Sequence, residues 1–129
     1  MRAVLLALAI AVGSGAATAP LTVRVGEDML FVIDRGQPVH ARKADPSSKP
    51  ARGEVKVGVR SFSGTMMTLT NNSAQGYTFK AELIGTGGKA VNARTCTLPP
   101  GNQPTLESWP QEAAAVRIGD FNPAKGGRC

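Results

Sequence analysis

This sequence predicts a small antiparallel β-sandwich of immunoglobulin-like kind, with a small β-barrel as the alternative. Three observations carry the prediction. Apolar residues recur with a period of two through most of the chain. Clusters of Gly, Pro, Asn and Asp interrupt it after nearly every such run. No stretch repeats with the 3.6 period of an amphipathic helix.

The first alternating run is Leu21, Val23 and Val25 around Thr22 and Arg24. Met29 to Ile33 is continuously apolar and suits a strand covered on both faces. Val55, Val57 and Val59 alternate with Glu54, Lys56, Gly58 and Arg60, which gives one apolar and one wet face. Tyr77, Phe79, Ala81 and Leu83 repeat that design around Thr78, Lys80 and Glu82. Weaker strands are expected at Thr65–Thr70, Ala90–Cys96 and Ala114–Ile118. Turn chemistry marks Asp34-Arg35-Gly36, Asn71-Asn72-Ser73, Gly85-Thr86-Gly87-Gly88 and Pro99-Pro100-Gly101-Asn102. Residues 41–53 hold Arg42, Lys43, Lys49 and Arg52 against the single acid Asp45, with no large apolar side chain. That composition predicts a flexible basic loop joining an N-terminal hairpin to the main sheet body.

The N-terminus follows a different logic. Met1-Arg2 is a short positive start, Ala3 to Val12 is an unbroken apolar run, and Gly13 to Ala19 supplies small residues. This is the pattern of a signal peptide over residues 1–19, cleaved after Ala17 or Ala19. A transmembrane anchor needs about 20 consecutive apolar residues, and this run breaks at Gly13. The expected remainder, 20–129, is about 110 residues and makes one domain. The whole chain of 129 residues carries a net charge of +6, and Arg2 is the one charge the cleavage would remove.

Export gives the two cysteines, Cys96 and Cys129, their meaning. In an oxidising compartment an intramolecular disulfide is the expected state. It would hold a Gly- and Pro-containing C-terminal run that otherwise frays. An intermolecular thiol and a redox pair are the alternatives, and no C-x-x-C spacing supports the latter.

Catalytic and ligand-binding patterns are thin. His40, the one histidine, sits beside Pro38 and Val39 with no serine-nucleophile motif and reads as an edge residue. Glu27-Asp28 has no neighbouring metal ligands. Met66 and Met67 are adjacent on an expected strand, so they face opposite sides and make a poor soft-metal site. Gly85 to Lys89 lacks the full phosphate-loop frame and reads as a hairpin turn. Asn71-Asn72-Ser73 fits a glycosylation sequon but reads as a turn. Glu107 and Glu112 flank Trp109 and are the one carboxylate pair a glycan-cleaving site could use, although a packed Trp109 between solvated glutamates is the simpler reading. No nucleic-acid-binding motif and no cofactor motif is present.

Two groups of motifs carry a resemblance. Gly64-Thr65-Met66-Met67-Thr68-Leu69-Thr70-Asn71-Asn72 is followed by Tyr77-Thr78-Phe79 and by Thr95-Cys96-Thr97-Leu98-Pro99. Leu106-Glu107-Ser108-Trp109-Pro110 then precedes Val116-Arg117-Ile118 and the last cysteine. Together they resemble small secreted or periplasmic bacterial β-sandwich proteins. The resemblance implies architecture and compartment, and no mechanism.

The expectation is therefore a periplasmic or secreted, non-enzymatic structural or interaction module of the cell envelope. Its rivals are a small envelope hydrolase using Glu107 or Glu112 and a soluble inhibitor of an exported enzyme. The expected partners are another exported protein or anionic envelope material drawn to Arg42, Lys43, Lys49 and Arg52. Screening within about 8 Å at physiological salt makes the second attraction weak.

Overall fold

The computed structural model describes residues 19–125 and residue 129, so the expected signal peptide lies outside the described residues except at Ala19. Nine strands follow one another: β1 (Leu21–Arg24), β2 (Asp28–Asp34), β3 (Gln37–Ala44), β4 (Val55–Ser61), β5 (Thr65–Asn71), β6 (Gly76–Ile84), β7 (Ala90–Ala93), β8 (Pro104–Trp109) and β9 (Ala115–Ala124). They build two antiparallel sheets, one in the order β1-β9-β6-β7 and the other β3-β2-β4-β5-β8. The sheets pack face to face, as the period-two pattern requires of chains with one apolar face.

The alternating residues meet in the middle. Val55, Val57, Val59, Met67 and Leu69 from the larger sheet bury against Val23, Phe79, Ala81, Leu83, Val116 and Ile118 from the smaller one. At one end Phe121 of β9 ties the sheets together. Its ring stacks on Phe79 at 5.2 Å, lies 5.9 Å from Phe31 of β2, and takes an edge-on contact from Tyr77 at 6.0 Å. In β5, Met67 is buried and Met66 faces partly outward, as strand geometry demands.

The expected turns at Asp34–Gly36 and Gly85–Gly88 close the β2–β3 and β6–β7 hairpins. Gly85 and Lys89 are joined by a backbone hydrogen bond of 2.9 Å. Asn71 ends β5 fully buried, donating from Nδ2 to the carbonyl of Gln75 and, more weakly, to that of Pro99. A side chain so enclosed has no room for a glycan. Gly64 turns the β4–β5 hairpin at φ +117°, where a Cβ would strike the carbonyl of Trp109. Glycine there lets β8 lie flat against β5.

The structure shortens the loop expected at 41–53. Residues 41–44 complete β3, and 45–53 form a tethered turn. Lys56 Nζ donates to the carbonyls of Pro46 and Ser48 at 2.6 and 2.7 Å, and Asn72 Nδ2 donates to that of Pro50 at 2.9 Å. Strand β3 is an edge, so its Arg, Lys and His side chains reach water and no apolar alternation survives to announce it.

Two strand boundaries also move. The strand expected at Ala90–Cys96 ends at Ala93, after which Thr95 donates from Oγ1 to the carbonyl of Phe79 and Leu98 bridges to Tyr77. The strand expected to end at Ile118 continues to Ala124. A register shift opposite Thr78 and Lys80, with Asp120 at φ +53°, marks a bulge that carries β9 past Gly119. Pro123 is tolerated because β1 pairs only with Ala115–Ile118, so no strand among the described residues pairs with Pro123 on the side of β9 away from β6.

Candidate functional site

Strand β8 was hidden in the sequence because its alternation is inverted. Leu106 points to water at 58% exposure, whereas Glu107 and Trp109 point inward and are buried. Trp109 anchors the strand by donating from its indole N–H to the carbonyl of Arg94 at 2.9 Å. Since Trp109 is inward, the period of two places Glu107 inward as well.

Glu107 meets the chain segment that leaves β7. Its Oε2 accepts the backbone N–H of Cys96 at 2.8 Å. Cys96 and Cys129 are joined as a disulfide, which brings residue 129 to the same place. The result is an open groove of about 510 Å³ along the outer side of β8. Thr105, Leu106 and Glu107 form one wall, and Cys96, Thr97, Pro99 and Cys129 contribute to the other.

Three acids are buried, and Glu107 is held differently from the other two. Asp28 is paired with Arg60 at 2.6 Å, in space left by Gly58, whose Cβ would collide with the Asp28 carboxylate. Glu54 is paired with Arg42 at 2.5 Å and also accepts the N–H of Ala51 at 2.9 Å. Glu107 makes no ion pair among the described residues. Burial pushes its carboxyl above the usual glutamate range, and the Cys96 N–H pulls it only partly back. Glu54 is shifted the other way, because the hydrogen bond from Arg42, followed by that from Ala51, favours the carboxylate.

The structure separates Glu107 from its supposed catalytic partner. Glu112 is exposed and accepts the hydroxyl of Ser61 at 3.1 Å, and it is not among the residues lining the groove. The basic quartet is divided too. Arg42 is held by Glu54, and Lys43 lies 3.7 Å from Glu27. Lys49 and Arg52 are exposed on the turn and make no ion pair among the described residues. His40 sits exposed on β3 with φ +55°. Among the described residues no group of three potential metal ligands comes together, and no helix is long and apolar enough to cross a membrane.

The groove could have been found from one signal, the in-phase spacing of Glu107 and Trp109 in an otherwise solvent-like segment. Set against protein-family models, curated proteins and solved structures, the chain matches none of them.

Proposed function

We propose that the chain is an exported, non-enzymatic β-sandwich that serves as a structural or interaction module of the cell envelope. The observation that carries this reading is the Cys96–Cys129 disulfide, which fixes residue 129 beside an open sheet edge. Such a bond persists in oxidising compartments, and the apolar run Ala3 to Val12 supplies a route there. Bacterial expression followed by fractionation and intact-mass measurement tests it. The expected species is extracytoplasmic, begins at Thr18 or Pro20, and contains no free thiol. A cytoplasmic protein that keeps Met1 and two reactive thiols would contradict it.

Weak attachment to anionic envelope material is a second element of the proposal, and it rests on Lys49 and Arg52, exposed and without an ion pair among the described residues, and on Lys43, whose exposed side chain is held only loosely, 3.7 Å from Glu27. Changing all three to Ser should abolish cosedimentation with anionic lipid vesicles at low salt, and high salt should do the same to the wild type. Equal recovery of both proteins under both conditions would remove this element. Hydrolysis through Glu107 is the competing reading, favoured by its raised carboxyl in an open groove. Turnover of peptidoglycan that is lost in Glu107→Gln would establish it.

A further inference from the structure

The two sheets present four outer strands, and they are protected unequally. β1 and β7 are four residues each, and β3 displays His40, Arg42 and Lys43. Short length and exposed positive charge are two ways proteins stop a stray strand from pairing with an edge. β8 is longer, at six residues, and it has no basic residue and exposes Leu106. It pairs with β5 on one side. On the other, none of the backbone hydrogen bonds outside the strands among the described residues involves residues 104–109. The segment Arg94–Cys96 reaches β8 through the Glu107 and Trp109 side chains, not through a ladder.

Glu107 is itself a safeguard, since an inward charge at an edge penalises any strand that would bury it unpaired. The penalty depends on what arrives. A neutral or acidic strand would leave the carboxylate uncompensated, whereas a strand bringing an ammonium or guanidinium group would supply the cation that Asp28 and Glu54 already have. One device thus rejects most strands and admits one kind.

We infer that the free edge of β8 is a docking site for an extended segment of another polypeptide, which adds as a sixth strand and seats a Lys or Arg side chain in the groove against Glu107. Leu106 offers an apolar contact on the opposite face of the same edge. Backbone pairing supplies affinity in such strand addition, and the side-chain pocket supplies selection. The inference rests on reading the chain as an interaction module and names the chemistry of its partner.

The test uses the full exported protein with its disulfide intact and a hexapeptide alternating valine with lysine, beside the same peptide with glutamate for lysine. Trp109, the one tryptophan of the chain, lies on β8 and reports binding by fluorescence. Hydrogen exchange then locates it. The lysine peptide should bind and slow exchange at residues 104–109, and the glutamate peptide should not. Glu107→Gln should weaken the lysine peptide about tenfold, equivalent to about 1.4 kcal/mol. Leu106→Lys, at an exposed position, should abolish binding by charging the edge without disturbing the core. Equal binding of both peptides, insensitivity to Glu107→Gln, or protection at residues other than 104–109 would overturn the inference. So would dimerisation that Leu106→Lys dissolves while the peptide fails to bind, because the occupant would then be a second copy. Failure of the lysine peptide on a protein already found extracytoplasmic and disulfide-bonded would remove this site and leave the proposed function standing.

Discussion

Immediately before β4, the central strand of the larger sheet, Glu54 is 8% exposed and held by Arg42 and by the N–H of Ala51; on β8, an edge of the same sheet, Glu107 is 6% exposed and held by one backbone N–H. Nearly equal exposed area goes with opposite chemistry. The first carboxyl is shifted toward the charged form and stabilises the fold as an anion, whereas the second is shifted toward the neutral form and costs the fold something when ionised. Small exposed area alone thus decides little: desolvation dominates at Glu107, and the hydrogen bonds from Arg42 and Ala51 dominate at Glu54. A site with a satisfied acid is architecture, and a site whose acid faces an open groove is where a ligand can supply what the fold omits.

The largest expected effect removes the scaffold of the Glu107 side alone. Reduction of the disulfide, or Cys96→Ser, should cost about 3–4 kcal/mol in the loop-entropy account, a large share of a small domain's stability. Denaturant titration gives the size. Native-state hydrogen exchange gives the place, with amides near residues 94–98 opening early and those joining β2, β3 and β4 remaining protected. Uniform loss across both regions would erase the distinction between them.

Next come the two acids. Glu54→Ala strands the N–H of Ala51 and should cost about 1–3 kcal/mol, whereas Glu107→Gln keeps an acceptor for the Cys96 N–H and removes a buried charge. It should be neutral or stabilising by up to about 1 kcal/mol at neutral pH. Equal destabilisation by the two would mean that Glu107 has a cationic partner after all.

The pH dependences should oppose one another. A raised carboxyl means that the folded state binds the proton more tightly, so Glu107 weakens the fold as pH rises from the ordinary glutamate value through its folded value. A lowered carboxyl means that Glu54 contributes stability above the ordinary value, and loses it as pH falls toward its folded one. Against wild type, Glu107→Gln should flatten the first slope and Glu54→Gln the second. The smallest effect belongs to the turn between them in character: Lys49→Ser and Arg52→Ser, both exposed, should change stability by less than about 0.5 kcal/mol.

The sandwich was legible where side chains alternate by polarity. Val55, Val57 and Val59 are buried, as are Phe79, Ala81 and Leu83, because a strand with one wet face must write its geometry into its sequence. Edges escape that rule. β3 scatters Pro38, Val39 and two alanines among polar residues without alternation, β8 places an acid where an apolar residue is expected, and β9 passes Gly119-Asp120 through a bulge that looks like a turn. The candidate groove combines an edge strand with a disulfide spanning 33 positions, so its parts were visible singly while their meeting was not. The pairing of Arg42 is invisible in the sequence because its acid, Glu54, lies twelve residues on and meets it only across the sheet.

Side-chain carboxyl titration by NMR on the oxidised protein tests the central contrast most directly. The account predicts that Glu107 titrates above the ordinary glutamate range and Glu54 below it, and that reducing the disulfide moves Glu107 toward the ordinary value while leaving Glu54 where it was. Two glutamates titrating together at the ordinary value, in oxidised and reduced protein alike, would contradict it.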